Sequence, residues 1–319
     1  MIRESLKIIR LGLIGARGYV GSELIKLVTA HPQLELVFVS SREREGQLLS
    51  DYELNAPLAM RYCNYCPEDA LQNPVDVLVL ALPNGLAASW VNTFDAANSK
   101  SVLLDLSADY RFSPEWFYGL PELTRNCYKG QIRISNPGCY ATAMQLAIAP
   151  MRKYLAGTVQ CFGVSGYSGA GVTPSNNNNP DMLKDNLIPY ALLNHIHERE
   201  VITQIGCELH FMPHVAPHFR GLSITTNMLL NQPLRLEQVE SLYRDFYQNE
   251  QFIEIMTETP WLSHVANTPN AQIGGFRLSD DGRRLVVVSV LDNLLKGAAS
   301  QAMQNINLAF GLPETMGIP

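Results

Sequence analysis

The start of the chain constrains the fold most. An apolar run over residues 8–14 passes into glycines spaced three apart, Gly12, Gly15, Gly18 and Gly21. The segment that follows repeats Val20, Leu24, Leu27 and Val28 at helical spacing until His31-Pro32 stops it. Strand, glycine turn and helix in this order open a parallel sheet wrapped by helices. Glycines at such a turn let the backbone approach a pyrophosphate, and the helix N-terminus offers it N–H groups and a positive dipole end. The series reads G-x-x-G-x-x-G-x-x-G rather than the commoner G-x-G-x-x-G, so its place between strand and helix carries the argument.

Further apolar runs at 34–39, 75–81, 102–106 and 132–134 are continuous enough to be buried on both faces. Beyond about residue 141 the texture changes. Runs at 156–164, 209–212, 222–230, 272–278 and 285–291 predict longer strands with few helices between them, in a mixed or antiparallel sheet. A length of 319 residues exceeds one ordinary core. The expected architecture is therefore α/β: a Rossmann dinucleotide-binding domain over 1–138 and an α+β catalytic and oligomerisation domain with a mixed sheet over 139–295. Leu295, Ala299, Ala302, Met303, Ile306 and Phe310 recur at helical spacing, so a terminal helical segment, 296–319, is expected to return to the first domain, with Gly311 and Pro313 as its stop. The asparagine-rich stretch 175–179 has no apolar face and predicts an exposed loop.

A net charge of -6 with no long Lys/Arg run argues against a nucleic-acid or membrane-surface partner and for a small-molecule substrate. Arg3 and Lys7 ahead of an apolar stretch imitate a leader peptide, but Arg10 interrupts the stretch and it leads straight into the glycine turn. No apolar run reaches the roughly 18 residues of a membrane span. The six cysteines are irregularly spaced, which predicts reduced thiols and a cytoplasmic protein. Cys63 and Cys66 form a lone C-x-x-C without a second pair at zinc-site spacing, so no metal is expected.

At the end of the second strand, where an NAD enzyme commonly places a carboxylate, stand Ser40, Ser41 and Arg42. Two hydroxyls and a guanidinium suit a 2′-phosphate, so NADP(H) is the expected cofactor, although Glu43 tempers the reading. Cys139 follows a short strand, and Tyr140, Ala143, Met144, Ala147 and Ile148 then share a helical face. With Asn136 as N-cap and Pro137 at the first helical position, the thiol falls in the first turn, where the dipole favours thiolate. Proton-handling partners are offered by His195, His197, His210, His214 and His218, and spacing does not choose among them. Arg111 and Arg220 are candidate anion holders. The residues alone thus define a thiol-dependent, NADP-linked oxidoreductase.

Over nearly its whole length the chain resembles the N-acetyl-gamma-glutamyl-phosphate reductases of arginine biosynthesis. The resemblance rests on Gly15-Ala-Arg-Gly-Tyr-Val-Gly21, Asp105-Leu-Ser-Ala-Asp-Tyr-Arg111, Tyr118-Gly-Leu-Pro-Glu122, Asn136-Pro-Gly-Cys-Tyr140, Ser165-Gly-Tyr-Ser-Gly-Ala-Gly171, His195-Ile-His-Glu-Arg-Glu200 and Asp292-Asn-Leu-Leu-Lys-Gly297. It implies that Cys139 displaces phosphate from an acyl phosphate to form a thioester, with His197 as acid/base and His195 and Glu200 orienting it or holding substrate. It further implies cofactor contacts from Arg17, Tyr19, Val20 and Asn293, and substrate contacts from Ser168, Gly169, Arg111 and Arg220. A homodimer or homotetramer is expected. The rivals are a reductase of a shorter acyl phosphate, resembling aspartate-semialdehyde dehydrogenase, and a non-catalytic NADP-sensing protein. The first separates by substrate, the second by whether Cys139 is reactive.

Overall fold

A computed structural model of the chain describes residues 7–319; Arg3, and with it the start of the leader-like stretch, lies outside them. The chain forms two compact units, one of residues through Pro137 together with Ala299–Pro319, the other of Gly138–Ala298.

The first unit runs β1 (Ile9–Ile14), α1 (Tyr19–Ala30), β2 (Leu34–Ser40), β3 (Tyr62–Cys63), α2 (Pro67–Gln72), β4 (Val77–Leu80), α3 (Ala88–Ala96), β5 (Val102–Asp105), β6 (Phe117–Tyr118), α4 (Pro121–Thr124) and β7 (Arg133–Ser135). Its seven strands are ordered β3-β2-β1-β4-β5-β7-β6, and every pairing is parallel. The apolar runs are continuous because each strand feeds two cores. Leu11, Leu13, Val77, Val79 and Leu104 pack with α1 on one face, whereas Leu78, Leu80 and Leu103 pack with Trp90 and Phe94 of α3 on the other. Val77 to Leu80 are all fully buried, at about 1.5–3 kcal/mol each. The strand order reverses between β1 and β4, where α/β sheets open a crevice at the carboxyl ends of their strands.

The second unit runs α5 (Cys139–Ile148), β8 (Val159–Gly166), α6 (Pro180–Leu183), β9 (Ile188–Pro189), α7 (Ile196–Ile205), β10 (Leu209–Ala216), β11 (Leu222–Leu229), α8 (Leu236–Tyr247), β12 (Ile253–Ile255), α9 (Leu262–Val265), β13 (Ala271–Leu278) and β14 (Arg284–Leu291). The sheet is mixed, as the sequence predicts, in the order β12-β13-β14-β11-β8-β10-β9, with parallel pairs β8/β10 and β12/β13. The expectation of few helices is corrected: α5, α7 and α8 cover one face. On α8 the buried side chains are Val239, Tyr243 and Tyr247, a four-residue spacing outweighed in the sequence by the polar residues around it.

After a single π-helical turn, Leu295–Ala299, the chain enters α10 (Ser300–Ala309), whose Ala302, Met303 and Ile306 join Ala299 in the α1-side core of the first unit. Regular helix ends there, well short of residue 319, and Gly311 takes a positive φ of 69°. The stretch 175–179 is less free than a loop without partners. Asn178 donates to the Gly171 and Thr173 carbonyls, and its Oδ1 accepts the Ser175 N–H.

Candidate active site

In the first unit the glycine turn sits at the β1/β4 reversal. Gly15 has φ +81°, and a Cβ there would overlap the Ala81 carbonyl, so only glycine lets the turn lie against β4. Gly18 is the N-cap of α1 and contributes no capping side chain. A Cβ on it would meet nothing closer than the Gly15 carbonyl at 3.5 Å. No acidic residue stands in the first turn, Tyr19 and Val20 included. A helix N-terminus without a capping side chain or a first-turn carboxylate fits a pyrophosphate. Gly12 packs against the Phe38 ring, so it serves strand packing.

At the end of β2, Ser40 and Ser41 are buried, and the Ser40 hydroxyl accepts the Tyr65 N–H at 3.1 Å. Arg42 stands exposed and pairs with Glu43 at 3.5 Å, and Arg17 reaches the same carboxylate at 3.2 Å. Cys63 donates its thiol to the Val39 carbonyl and Cys66 caps α2, so the C-x-x-C is built into local structure.

In the second unit Cys139 opens α5. The capping expectation is corrected by two residues at each position: Gly138 is the N-cap and Cys139 the first helical residue. Asn136 is drawn elsewhere, its Oδ1 accepting from Asn305 at 2.8 Å and its N–H donating to the Asp105 carbonyl. The amide of Gly138 donates to Oε1 of Glu200, a fully buried carboxylate on α7, at 2.9 Å. The helix is buried all round from Tyr140 to Ile148 and is pinned at its far end too. The hydroxyls of Tyr243 and Tyr247 on α8 donate to the Ala147 and Leu146 carbonyls, and Ser289 donates to that of Ala143. Gly297 backs Cys139, since a Cβ there would lie 2.6 Å from the Cys139 Cβ.

The H-x-H segment straddles the start of α7. His195 is its N-cap, and its Nδ1 accepts the His197 N–H at 3.1 Å. The two rings lie 4.9 Å apart and both stand edge-on to Tyr140, at 6.3 and 6.0 Å. Burial holds the His195 imidazole down, to about 4. It is therefore neutral at pH 7, with the proton on Nε2 because Nδ1 accepts. The unfolded chain binds this proton below about 6.5 and the folded chain only near 4, so stability is full above pH 6.5 and falls as pH drops through that window. His195→Asn keeps a capping oxygen and removes the titration. Between pH 7.5 and 4.5 it should lose less of its urea midpoint than the wild type does, and an unchanged slope would count against a buried neutral His195.

Of the other histidines, His214 supplies the carbonyl that accepts the Tyr140 hydroxyl, His218 lies within hydrogen-bond reach of the Gly221 carbonyl, and His210 stands exposed on β10. Arg220 forks onto Asp292, with Nε at 2.7 Å from Oδ2 and Nη2 at 3.2 Å from Oδ1, while Nη1 donates to Asn267. Next to it Asn293 is buried, donating to Ser168 Oγ at 2.9 Å and accepting the Gly221 N–H. A Cβ at Gly169 would stand 3.1 Å from Ser165 Oγ. Ser168, Gly169, Arg220 and Asn293 thus form one knot within the second unit. Arg111 belongs to the first unit, where its Nε and Nη2 donate to the Asn136 and Leu106 carbonyls and brace the segment ahead of α5.

Three residues here escaped the sequence reading. Asp292 and Gly297 lie within a quoted motif but draw attention only through what they touch. Tyr190 carries no motif signal. It sits 5.7 Å from the His195 ring, and burial together with the nearby Cys139 charge raises its phenol.

A helix opened by a cysteine in one unit and a glycine-turn Rossmann fold in the other fit a two-part oxidoreductase of the semialdehyde dehydrogenase class. Residues 10–131 match the family described as semialdehyde dehydrogenase, NAD binding domain, and residues 139–293 match its dimerisation domain. Among curated proteins, the N-acetyl-gamma-glutamyl-phosphate reductase of Xanthomonas campestris pv. campestris is 58% identical, over 97% of this chain and 98% of its own length. That of Xylella fastidiosa is 54% identical, over 97% and 94%. The chain belongs to the N-acetyl-gamma-glutamyl-phosphate reductase family, within the semialdehyde dehydrogenases. Among solved structures, aspartate semialdehyde dehydrogenase II of Vibrio cholerae superposes with a TM-score of 0.77 at 18% identity, covering 96% of this chain and 99% of its own. The Candida albicans enzyme, solved with NADP, gives 0.75 at 16% identity, covering 95% and 98%. At such identities these two show the fold alone.

Proposed function

We propose that this protein reduces N-acetyl-L-glutamyl 5-phosphate to N-acetyl-L-glutamate 5-semialdehyde with NADPH, releasing phosphate, and that Cys139 is its nucleophile. The observation that carries the reading is a full-length kinship of 58% identity combined with a cysteine at the first position of a helix pinned at both ends. Cys139 Sγ attacks the acyl carbon, the C–S bond forms and the C–O bond to phosphate breaks, leaving a thioester. When bound, NADPH supplies the hydride that reduces it. As the resulting thiohemiacetal collapses, the C–S bond breaks, the aldehyde leaves and the thiolate returns to Cys139.

His197 is assigned the acid/base role, because the neutral His195 already accepts the His197 N–H and holds the start of α7. Backbone N–H groups at the start of α5 stabilise the oxyanion, and Glu200, through the Gly138 amide, positions the backbone that carries the thiol. Arg220, oriented by Asp292, holds a substrate anion. The first unit binds the dinucleotide through Gly15, Gly18 and the α1 N-terminus, with Ser41, Arg42 and Arg17 toward the 2′-phosphate. In the second sheet, Val164 and Phe162 on β8, Met212 on β10, and Val286 and Val288 on β14 are half-buried or exposed. That face suits pairing with a second copy, so a cytoplasmic homo-oligomer is proposed. Among the described residues no helix is long and apolar enough to cross a membrane.

The test is a panel in the reverse direction, reading phosphate-dependent NADP reduction. N-acetyl-L-glutamate 5-semialdehyde should turn over at least about a hundredfold better in kcat/KM than aspartate semialdehyde, because polar groups that bind the acetamido group go unpaired with the shorter aldehyde. Equal turnover of both would sink the substrate assignment.

A further inference from the structure

The donors assigned to the 2′-phosphate already hold an anion, and it belongs to the chain. Glu43 follows the β2 end in a short 3₁₀ turn, Arg42–Arg44. Its Oε2 takes Arg17 Nε at 3.2 Å and the Ser41 hydroxyl at 3.4 Å, and Arg42 Nη2 lies 3.5 Å from its Oε1. Arg17 comes from the glycine turn, Ser41 and Arg42 from the end of β2. Two segments that the fold brings together therefore converge on one carboxylate. A hydrogen bond from its own backbone N–H, and then the two guanidiniums, hold the Glu43 carboxyl below its usual range, so it is anionic at neutral pH.

We propose that Glu43 is an internal stand-in for the 2′-phosphate: it keeps Arg17, Ser41 and Arg42 gathered while the site is empty and is displaced when NADPH binds. The inference rests on the NADPH reading. Its chemistry is that of competing anions. A phosphate monoester carries up to two charges and three acceptor oxygens where Glu43 offers one charge and two oxygens, so the phosphate prevails for the same donors. A free 2′-hydroxyl brings no charge and does not displace the carboxylate. The displacement weakens NADPH binding by what the three contacts contribute. That contribution is modest, because Glu43 and Arg17 are 43% and 35% exposed and Arg42 is 82% exposed. Glu43 is thus a positioning and specificity-setting residue, which neither reacts nor contacts the nicotinamide half.

The test is calorimetric binding of 2′,5′-ADP and 5′-AMP to the full chain, without turnover. Glu43→Gln should tighten 2′,5′-ADP by about threefold to tenfold in low salt, leave 5′-AMP within twofold, and lose most of the gain at about 0.5 M salt. In an Arg17→Gln background the gain should shrink, since the competition runs through that guanidinium. Weaker or unchanged 2′,5′-ADP binding by Glu43→Gln would overturn the proposal, and so would an undiminished gain without Arg17, which would mark simple charge repulsion. If wild type binds 2′,5′-ADP no better than 5′-AMP, the NADPH reading itself fails, separately from the role of Glu43.

Discussion

Cys139→Ser should lower phosphate-dependent oxidation of N-acetyl-L-glutamate 5-semialdehyde at least about a thousandfold, an added barrier of about 4 kcal/mol. Stability should change by less than about 1 kcal/mol. The asymmetry follows from what each atom does. A serine hydroxyl ionises far less readily than a thiol, and its oxygen ester is a poorer acyl carrier, so attack and turnover both fail. The position itself is not what holds the helix. Glu200 fixes the Gly138 amide ahead of it, and Tyr243, Tyr247 and Ser289 hold carbonyls along α5. The Cβ that lies against Gly297 is common to cysteine and serine, so that packing is kept. Stopped assays on both proteins, with urea unfolding as control, check this. A variant that is stable and retains a tenth of the activity would remove Cys139 as the nucleophile.

Asp292→Ala should produce the largest loss of stability, about 3–5 kcal/mol by urea unfolding. This carboxylate is fully buried and collects the Arg220 fork. It also accepts the N–H groups of Leu294 and Leu295 on Oδ1 and of Asn267 on Oδ2. Alanine strands a guanidinium that is only 14% exposed together with three backbone donors. Asp292→Asn keeps an acceptor but loses the charge and should fall between. If Arg220 holds substrate through this brace, the Asn variant should raise KM more than it lowers kcat. A loss under 1 kcal/mol for alanine would mean that water replaces the carboxylate.

Much of this was written locally. The glycine turn, its flanking strand and helix, and the uninterrupted runs of β4 and β5 are each set by neighbouring residues, because sterics at Gly15 and burial on both sheet faces act over a few positions. Cys139 could be placed in a first helical turn for the same reason, although it stands two positions nearer the helix start than expected. The cap moved because the Asn136 amide is engaged by Asn305, a partner 169 residues away. The helices of the second unit were under-read because α7 and α8 expose polar faces and bury only a few side chains, so their pattern is weak until a sheet lies beneath them.

The sequence by itself determined that the chain begins with a dinucleotide-type β-turn-α unit, changes texture near Cys139, and carries the ordered motifs of one reductase family. Those follow from short-range periodicity and from residue identity. Only the tertiary structure decided that Glu200 meets the Gly138 amide, that Asp292 orients Arg220, that His195 is a neutral cap beside His197, and that Glu43 gathers Arg17, Ser41 and Arg42. Each of these is a polar contact between segments distant in the chain or turned toward each other by the backbone. Hydrogen bonds and ion pairs depend on distance and angle in space, and no spacing in a linear sequence encodes them.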